Sequence, residues 1–377
     1  MTASHARHHV LWLVVGFLVG FAARAEVGDA AWEKEGREYV AQLPPLAIPD
    51  QPTLKVGPKE QYQDVATAIA ALPAEGGTIR IAQGAYEIKE SLRVPSHVAL
   101  IGEGPETRIQ MKERVLAHVI TNADHAKGNQ QILIRDLAVV GNLDSQGKPP
   151  VGHPTQGNDN CRGIYLDRVT KAYVLNCFIT ETGTNSLRAD NSQDVVVANN
   201  AEKHCFHCLN FTNCKAIVVA YNRVVRKWSG EAPYFNNTCD SQVFRNCVEG
   251  MGMDGMAFDF QSSRNNIHDN MVVASALSGI LLCGNAGDNK VRDNTIKSSG
   301  RYKKNPQDRV DGIYLRDASR NTIAGNRCVD DQPTPTQRYG IYISNAACQD
   351  NIVSGNTFSG NTAGEIKDLG ANTRLQE

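Results

Sequence analysis

From residue 163 onward, apolar and polar positions alternate in short bursts, and the bursts recur. Several begin Gly-Ile-x-aliphatic: GIYL at Gly163, GILL at Gly279, GIYL at Gly312 and GIYI at Gly340. Looser copies are SLRA at Ser186, CLNF at Cys208, YFNN at Tyr234 and GMAF at Gly255. A second alternation follows each burst and closes on an asparagine: Asn176, Asn200, Asn222, Asn246, Asn270, Asn294, Asn326 and Asn356. These asparagines are spaced 24, 22, 24, 24, 24, 32 and 30 residues apart. A fixed period of this size marks stacked repeats, in which a coil that cannot bury its own apolar face buries it against its neighbours. Alternation turns Ile164, Leu166, Ile280, Leu282, Ile313 and Leu315 inward. A turn asparagine tolerates left-handed backbone angles, and in register its amide can bond the copies above and below.

Two or three short strands per coil, pairing in parallel with the next coil, satisfy this pattern. Alternating βαβ units would need amphipathic helices between strands, and none is long enough after residue 130. A propeller would need about 40 residues per blade. The expectation is an all-β parallel coil of about ten rungs, spanning 61–377.

The ends differ. Residues 1–25 read as an export signal: Arg7 and its histidines, an apolar run from Val10 to Ala23, and Ala23-Arg24-Ala25 as a small-x-small cleavage site. A membrane anchor is the alternative, but the run is short for a bilayer and Arg24 interrupts it. The mature chain is expected in the periplasm or outside the cell, without stable membrane insertion. Residues 26–60 hold a helix from Asp29 to Leu43 and a Pro-rich connector. A second helix, Tyr62 to Leu72, is placed to cover the open end of the coil, which leaves Glu365 to Glu377 for the other end.

The segment Tyr62 to Ile109 resembles the N-terminus of pectin-lyase-like right-handed parallel β-helix proteins. The likeness lies in a capping helix, then GGTIRIAQGAYEI (Gly76 to Ile88), then VALIGEG (Val98 to Gly104). The repeats from Gly163 to Asn356 are similar to those of carbohydrate-binding and carbohydrate-cleaving members. The resemblance implies a single-stranded right-handed parallel β-helix with an N-terminal capping helix, and an acidic polysaccharide as partner. It does not choose among lyase, hydrolase, uronan C5-epimerase and non-catalytic binder. The Asp-Pro-His motif of alginate epimerases is absent, as are the polygalacturonase motifs and the Arg-Pro-Lys-like motif of pectate lyases. Catalytic residues therefore do not carry over.

The outer face supplies the candidates. The third position of each burst gives Tyr165, Arg188, Asn210, Asn236, Ala257, Leu281, Tyr314 and Tyr342. The fifth gives Asp167, Asp190, Thr212, Thr238, Asp259, Cys283, Arg316 and Ser344. A solvated face is usually filled with Lys and Glu; the row of Tyr, Arg and amides holds neither. Loops before the strands add His207, Trp228 as a sugar-stacking platform, Asp254 and Asp311. For β-elimination on a uronan, Arg188, Asn210 and Asn236 would neutralise the carboxylate, and His207 or Tyr165 would serve as base or acid. Hydrolysis would instead use paired carboxyls such as Asp254 and Asp259. Asp167, Asp190, Tyr314 and Arg316 line the expected binding surface. The row favours the lyase.

Lys+Arg 39 against Asp+Glu 40, with no basic run, gives no reason to expect a nucleic-acid partner. His204-Cys-Phe-His207-Cys208 has zinc-ligand types, but four ligands from one short loop are sterically hard. No metal ligand is assigned there. Asp167, Asp190 and Asp194 suit Ca2+, which is the one cofactor entertained. Of the ten cysteines, Cys177 and Cys247 follow column asparagines and Cys214 and Cys239 occupy similar turn positions, which reads as small buried side chains in ladders; Cys214–Cys239 and Cys205–Cys208 are the pairs to test for bridges. The oligomeric state is left open.

Overall fold

The computed structural model describes residues 29–143, 161–225, 230–302 and 308–376. The signal segment, Trp228 and most of the loop 141–163 lie outside them. Every strand pair is parallel, and three sheets run the length of the coil. The first sheet has 13 strands; the second and third have 11 each. One turn reads Gln242–Phe244 in the first sheet, Cys247–Glu249 in the second, Met256–Asp259 in the third, then Asn266–His268 back in the first. The Gly-Ile bursts make the third sheet.

Inward side chains stack by type. Phe211, Phe235 and Phe258 align in register and meet edge to face at 5.2 and 5.1 Å. They belong to one continuous core running from Val56 to Val353. The glycine that opens a Gly-Ile burst sits where the corner is tightest. A Cβ on Gly279 would collide with Ile296 of the second sheet and lie 2.7 Å from the Gly312 carbonyl.

The asparagine column stands between the first and second sheets. Asn222, Asn246, Asn270, Asn294 and Asn326 are almost fully buried. Each amide donates to the next Oδ1 at 2.9 to 3.0 Å. The same Oδ1 also accepts the backbone N–H of the earlier asparagine, for example Asn222 N to Asn246 at 3.0 Å. The left-handed angles fall one residue earlier, at Tyr221, Arg245, Asp269, Asp293 and Gly325, with φ from 53° to 65°. Asn176 is likewise an early residue (φ 54°). It bonds Asn199 at 2.8 Å, and Cys177 takes the column place beneath Asn200. The 24-residue spacing from Asn176 to Asn200 thus hides a step of 23. A second ladder, Asn265, Asn289, Asn321 and Asn351, braces the corner between the third and first sheets.

Helix Val65–Ala70 caps the coil, its Val65 and Ala68 sunk in the core and its N-terminus held by Asp64, which accepts from Thr67 N at 2.7 Å. Helix Asp29–Ala41 instead lies across the outer face of the first sheet. Tyr39 packs on Tyr221 and Phe244, both at 5.4 Å, and Val40 joins Leu175 and Val196. The connector then runs back toward the capped end, where the Ala47 N–H and carbonyl bond Gln131 and His97. At the other end the strands Gly364–Asp368 and Arg374–Gln376 leave Leu369 and Leu375 exposed.

Candidate functional site

On the third sheet the register fixes the outer row as Arg93, Thr121, Tyr165, Arg188, Asn210, Tyr234, Ala257, Leu281, Tyr314, Tyr342 and Lys367. The fifth-position row is Asp167, Asp190, Thr212, Asn236, Asp259, Cys283 and Arg316. Asn236 therefore leaves the first row and Tyr234 replaces it. Thr238 is fully buried and accepts the Cys214 N–H. The expected alignment was two residues late on this rung. A two-residue slip keeps every side chain on its face, so alternation could not reveal it.

The row converges around Tyr165. Its hydroxyl donates to Asp190 Oδ2 at 3.1 Å, and Arg188 Nε reaches both Asp190 oxygens at 2.8 and 2.9 Å. Asp167 accepts from Asn191 at 2.9 Å and Arg168 at 2.8 Å. Against the Tyr165 ring lie the imidazoles of His118 (4.8 Å) and His125 (5.2 Å), and the Arg162 guanidinium stands 4.7 Å from its centroid. Burial, then the charges of Asp190 and Asp167, push the phenol pKa up to about 12. It is protonated at neutral pH. Burial, then Arg162, His125 and Arg93, lower His118 to about 3, so its imidazole is neutral.

The hydrogen bonds also assign a tautomer. Thr121 Oγ1 donates its one hydrogen to the Tyr165 carbonyl at 2.9 Å. The 2.8 Å contact from His125 Nε2 to Thr121 Oγ1 must then carry the imidazole's hydrogen. In the tautomer with its hydrogen on Nε2, His125 has a bare Nδ1. One phenol donor, two imidazoles and the guanidiniums of Arg93, Arg162, Arg168 and Arg188 share this end of the sheet.

His118, His125, Arg162 and Arg93 escaped the sequence reading. It counted rungs from Gly163, whereas the same row extends back through strands Ile120–Asn122 and Leu92–Val94. Reading those strands in register would have found Arg93 and Thr121.

Other candidates lie elsewhere. His207 opens the next strand, paired with Asn185, its ring edge-on to Phe206. Asp254 is fully buried and takes Arg309 at 2.8 and 3.0 Å. Asp311 is fully buried and takes Arg338 at 2.8 and 3.0 Å. Neither carboxyl faces solvent, so Asp254 and Asp259 do not present two open carboxyls. Asp259 accepts the Phe260 N–H at 2.8 Å. Tyr314 meets Tyr342 edge to face at 5.4 Å, and Arg316 is exposed.

His204 pairs with Glu181 at 3.2 Å, and the Cys205 thiol donates to the Ile179 carbonyl at 3.6 Å. The Cys214 thiol is likewise spent on the Ala189 and Thr212 carbonyls, and Cys214 and Cys239 are unbridged. Asp194 belongs to the first-sheet strand Gln193–Ala198, away from the Asp167–Asp190 pair. Among the described residues no His, Cys, Asp and Glu side chains gather in threes to hold a metal ion.

Three comparisons place this geometry. A family model described as periplasmic copper-binding protein (NosD) matches residues 231–373, less than half of the chain. No curated protein matches the sequence. Solved structures match over most of the chain. The mannuronan C-5 epimerase AlgE4 A-module of Azotobacter vinelandii is 16% identical with a TM-score of 0.55, covering 82% of this chain and 93% of that one. An exopolygalacturonase from Thermotoga maritima is 11% identical with a TM-score of 0.63, covering 91% and 96%. The fold is a right-handed parallel β-helix. The periplasmic alginate epimerase AlgG, represented by its T265N mutant, aligns at 14% identity and a TM-score of 0.55, covering 87% and 84%. At such identities the likeness speaks for the β-helix alone. Among the described residues no helix is long and apolar enough to cross a membrane.

Proposed function

We propose that this chain is an exported protein that binds an acidic polysaccharide on the outer face of the third sheet and cleaves it by β-elimination. The observation that carries the reading is the Tyr165 phenol set between His118, His125 and Arg162, with Arg188 and Asp190 beside it. Elimination removes the proton beside a uronate carboxylate and expels the glycosidic oxygen of the neighbouring carbon. Arg162 and Arg93 hold the carboxylate and stabilise the charge that spreads onto it. His125 Nδ1 takes the proton. The C–H electrons form the new carbon–carbon double bond, the C–O bond breaks, and Tyr165 protonates the departing oxygen. The step leaves imidazolium and phenolate, which exchange a proton to reset the site. Export rests on the first 25 residues and agrees with the periplasmic titles of two of the matches.

The test is to incubate the protein with uronan polymers and follow ultraviolet absorbance of the unsaturated product. Growth that disappears in Tyr165→Phe supports the reading. New reducing ends without absorbance indicate hydrolysis, and retention on the polymer with neither indicates a binder.

Epimerisation is the second reading, because the same proton abstraction begins it and two of the structural neighbours carry that title. It would incorporate solvent deuterium into intact polymer without absorbance growth.

A further inference from the structure

The outer face of the third sheet is not one open groove. Ala257, Leu281 and Cys283 point outward by register, yet they are only 0%, 3% and 1% exposed and form a cluster of their own with Tyr234 and Tyr314. Of the approach to strand Ile313–Arg316, the described residues Gly300, Arg301 and Arg309 are tied to neighbouring rungs. Gly300 N donates to the Ser275 and Leu277 carbonyls, Arg301 Nη2 to the Gly250 carbonyl at 3.1 Å, and Arg309 grips the buried Asp254. Arg309 also stands within electrostatic reach of Cys283 and Glu231. A hydroxylated polymer lying on Tyr165 and Arg188 would find Ala257, Leu281 and Cys283 already covered, and could not continue along the face past Tyr234.

We propose that this plug closes the polar half of the face at one end, so that the site takes the end of an acidic sugar chain and not its middle. The inference rests on the polysaccharide reading above and adds the mode of attack. From Tyr165 the row steps through Arg188 and Asn210 to Tyr234, where the plug begins. Three steps of ~4.8 Å give about 14 Å, the length of about three pyranose residues. The plug thus sets how much of the chain end passes the reacting bond.

Wild-type protein and a long uronan decide it. The expected products are short oligosaccharides of one size from the earliest time, with viscosity falling only in proportion to the bonds cut. A ladder of long fragments with an early viscosity collapse overturns the plug while leaving elimination intact. If no uronan is cleaved, the elimination reading fails, and binding stoichiometry still decides this one. One protein per chain whatever its length supports end capture; a number rising with length overturns it. Arg309→Ala, its folding checked by thermal unfolding, should broaden product size. A folded variant that keeps the single size overturns the proposal, and if it does not fold the wild-type product and stoichiometry results stand alone.

Discussion

The Tyr165 hydroxyl donates to Asp190, which Arg188 grips with one nitrogen, and the three residues come from neighbouring rungs 23 positions apart in sequence. Burial, then the nearby carboxylates and the hydrogen bond, keep the phenol protonated well past its ordinary range, with the pKa at about 12. As a proton donor Tyr165 should therefore impose no alkaline limb on turnover below about pH 10. Tyr165→Phe removes the proton but not the ring that His118 and Arg162 pack on. It should lower turnover by about 10²-fold or more with the melting temperature little changed, read by absorbance kinetics and thermal unfolding.

His118 carries a pH dependence of stability with a definite sign. Its imidazole ionises near 6.5 in the unfolded chain and near 3 in the folded one. Between those values the unfolded chain binds the extra proton, so stability is present above pH 6.5 and is lost as pH falls toward 3. One such proton gives a slope of at most about 1.4 kcal/mol per pH unit. His118→Gln, which stays neutral, should flatten denaturant-unfolding stability across that window by about one proton. An unchanged slope would move the effect to another group.

The asparagine ladder makes a third prediction. Asn246 is buried, donates to Asn270 Oδ1 and the Val219 carbonyl, and accepts both the backbone and the side-chain N–H of Asn222. Asn246→Ala leaves several of these without a partner, at about 1–3 kcal/mol each. A loss of about 3 kcal/mol or more is expected in urea unfolding. Asn246→Asp should cost more, because it buries a charge against Asn270 Oδ1 and removes both donors. Asn356, half-buried at the end of the column, should lose less.

That ladder also shows what the sequence made legible. Period and alternation suffice for a parallel coil because each rung repeats the same constraints, and Ile164, Leu166, Ile280 and Leu315 are buried where alternation put them. The second ladder was missed because its asparagines begin only at Asn265; earlier rungs use Ser192 and Ser241 at that corner. Tyr165, Arg188 and Asn210 were legible as neighbours because Leu187 and Leu209 keep the inward aliphatic place of Ile164. Asn236 was misplaced because Phe235, the inward residue of YFNN, aligns with Phe211 and not with Leu209. His118, His125 and Arg162 were not legible as a group, since they lie in loops whose approach to Tyr165 no periodicity encodes. Nor does periodicity distinguish Asp259 at the sheet face from Asp254, which is consumed by Arg309 some 55 residues away.

Buried ion pairs hold the late loops in place, and they should behave asymmetrically. Arg338→Ala strands the Asp311 carboxylate in the interior, at about 3–5 kcal/mol. Replacing both residues with apolar side chains of similar volume should recover most of that loss. A double-mutant cycle by urea unfolding measures it. Additive losses would show that Asp311 is not stabilised chiefly by Arg338.

Helix Asp29–Ala41 is a strap on the first sheet, and its removal tests what that face needs. Trp32 and Tyr39 cover Tyr221, Tyr39 also covers Phe244, and Glu35 reaches Arg245 at 3.5 Å. The coil core beneath is a separate cluster, so a chain lacking residues 29–43 should still fold into the same sheets. Its bared Tyr173, Val196, Tyr221 and Phe244 should bind a hydrophobic dye and promote self-association. Tyr39→Ala should show a weaker form of the same behaviour, losing about 3 kcal/mol or less because the site is only partly buried. Circular dichroism, dye fluorescence and sedimentation read these outcomes. Loss of the β-sheet signal on truncation would make the strap part of the folding unit, not a cover laid on a finished coil.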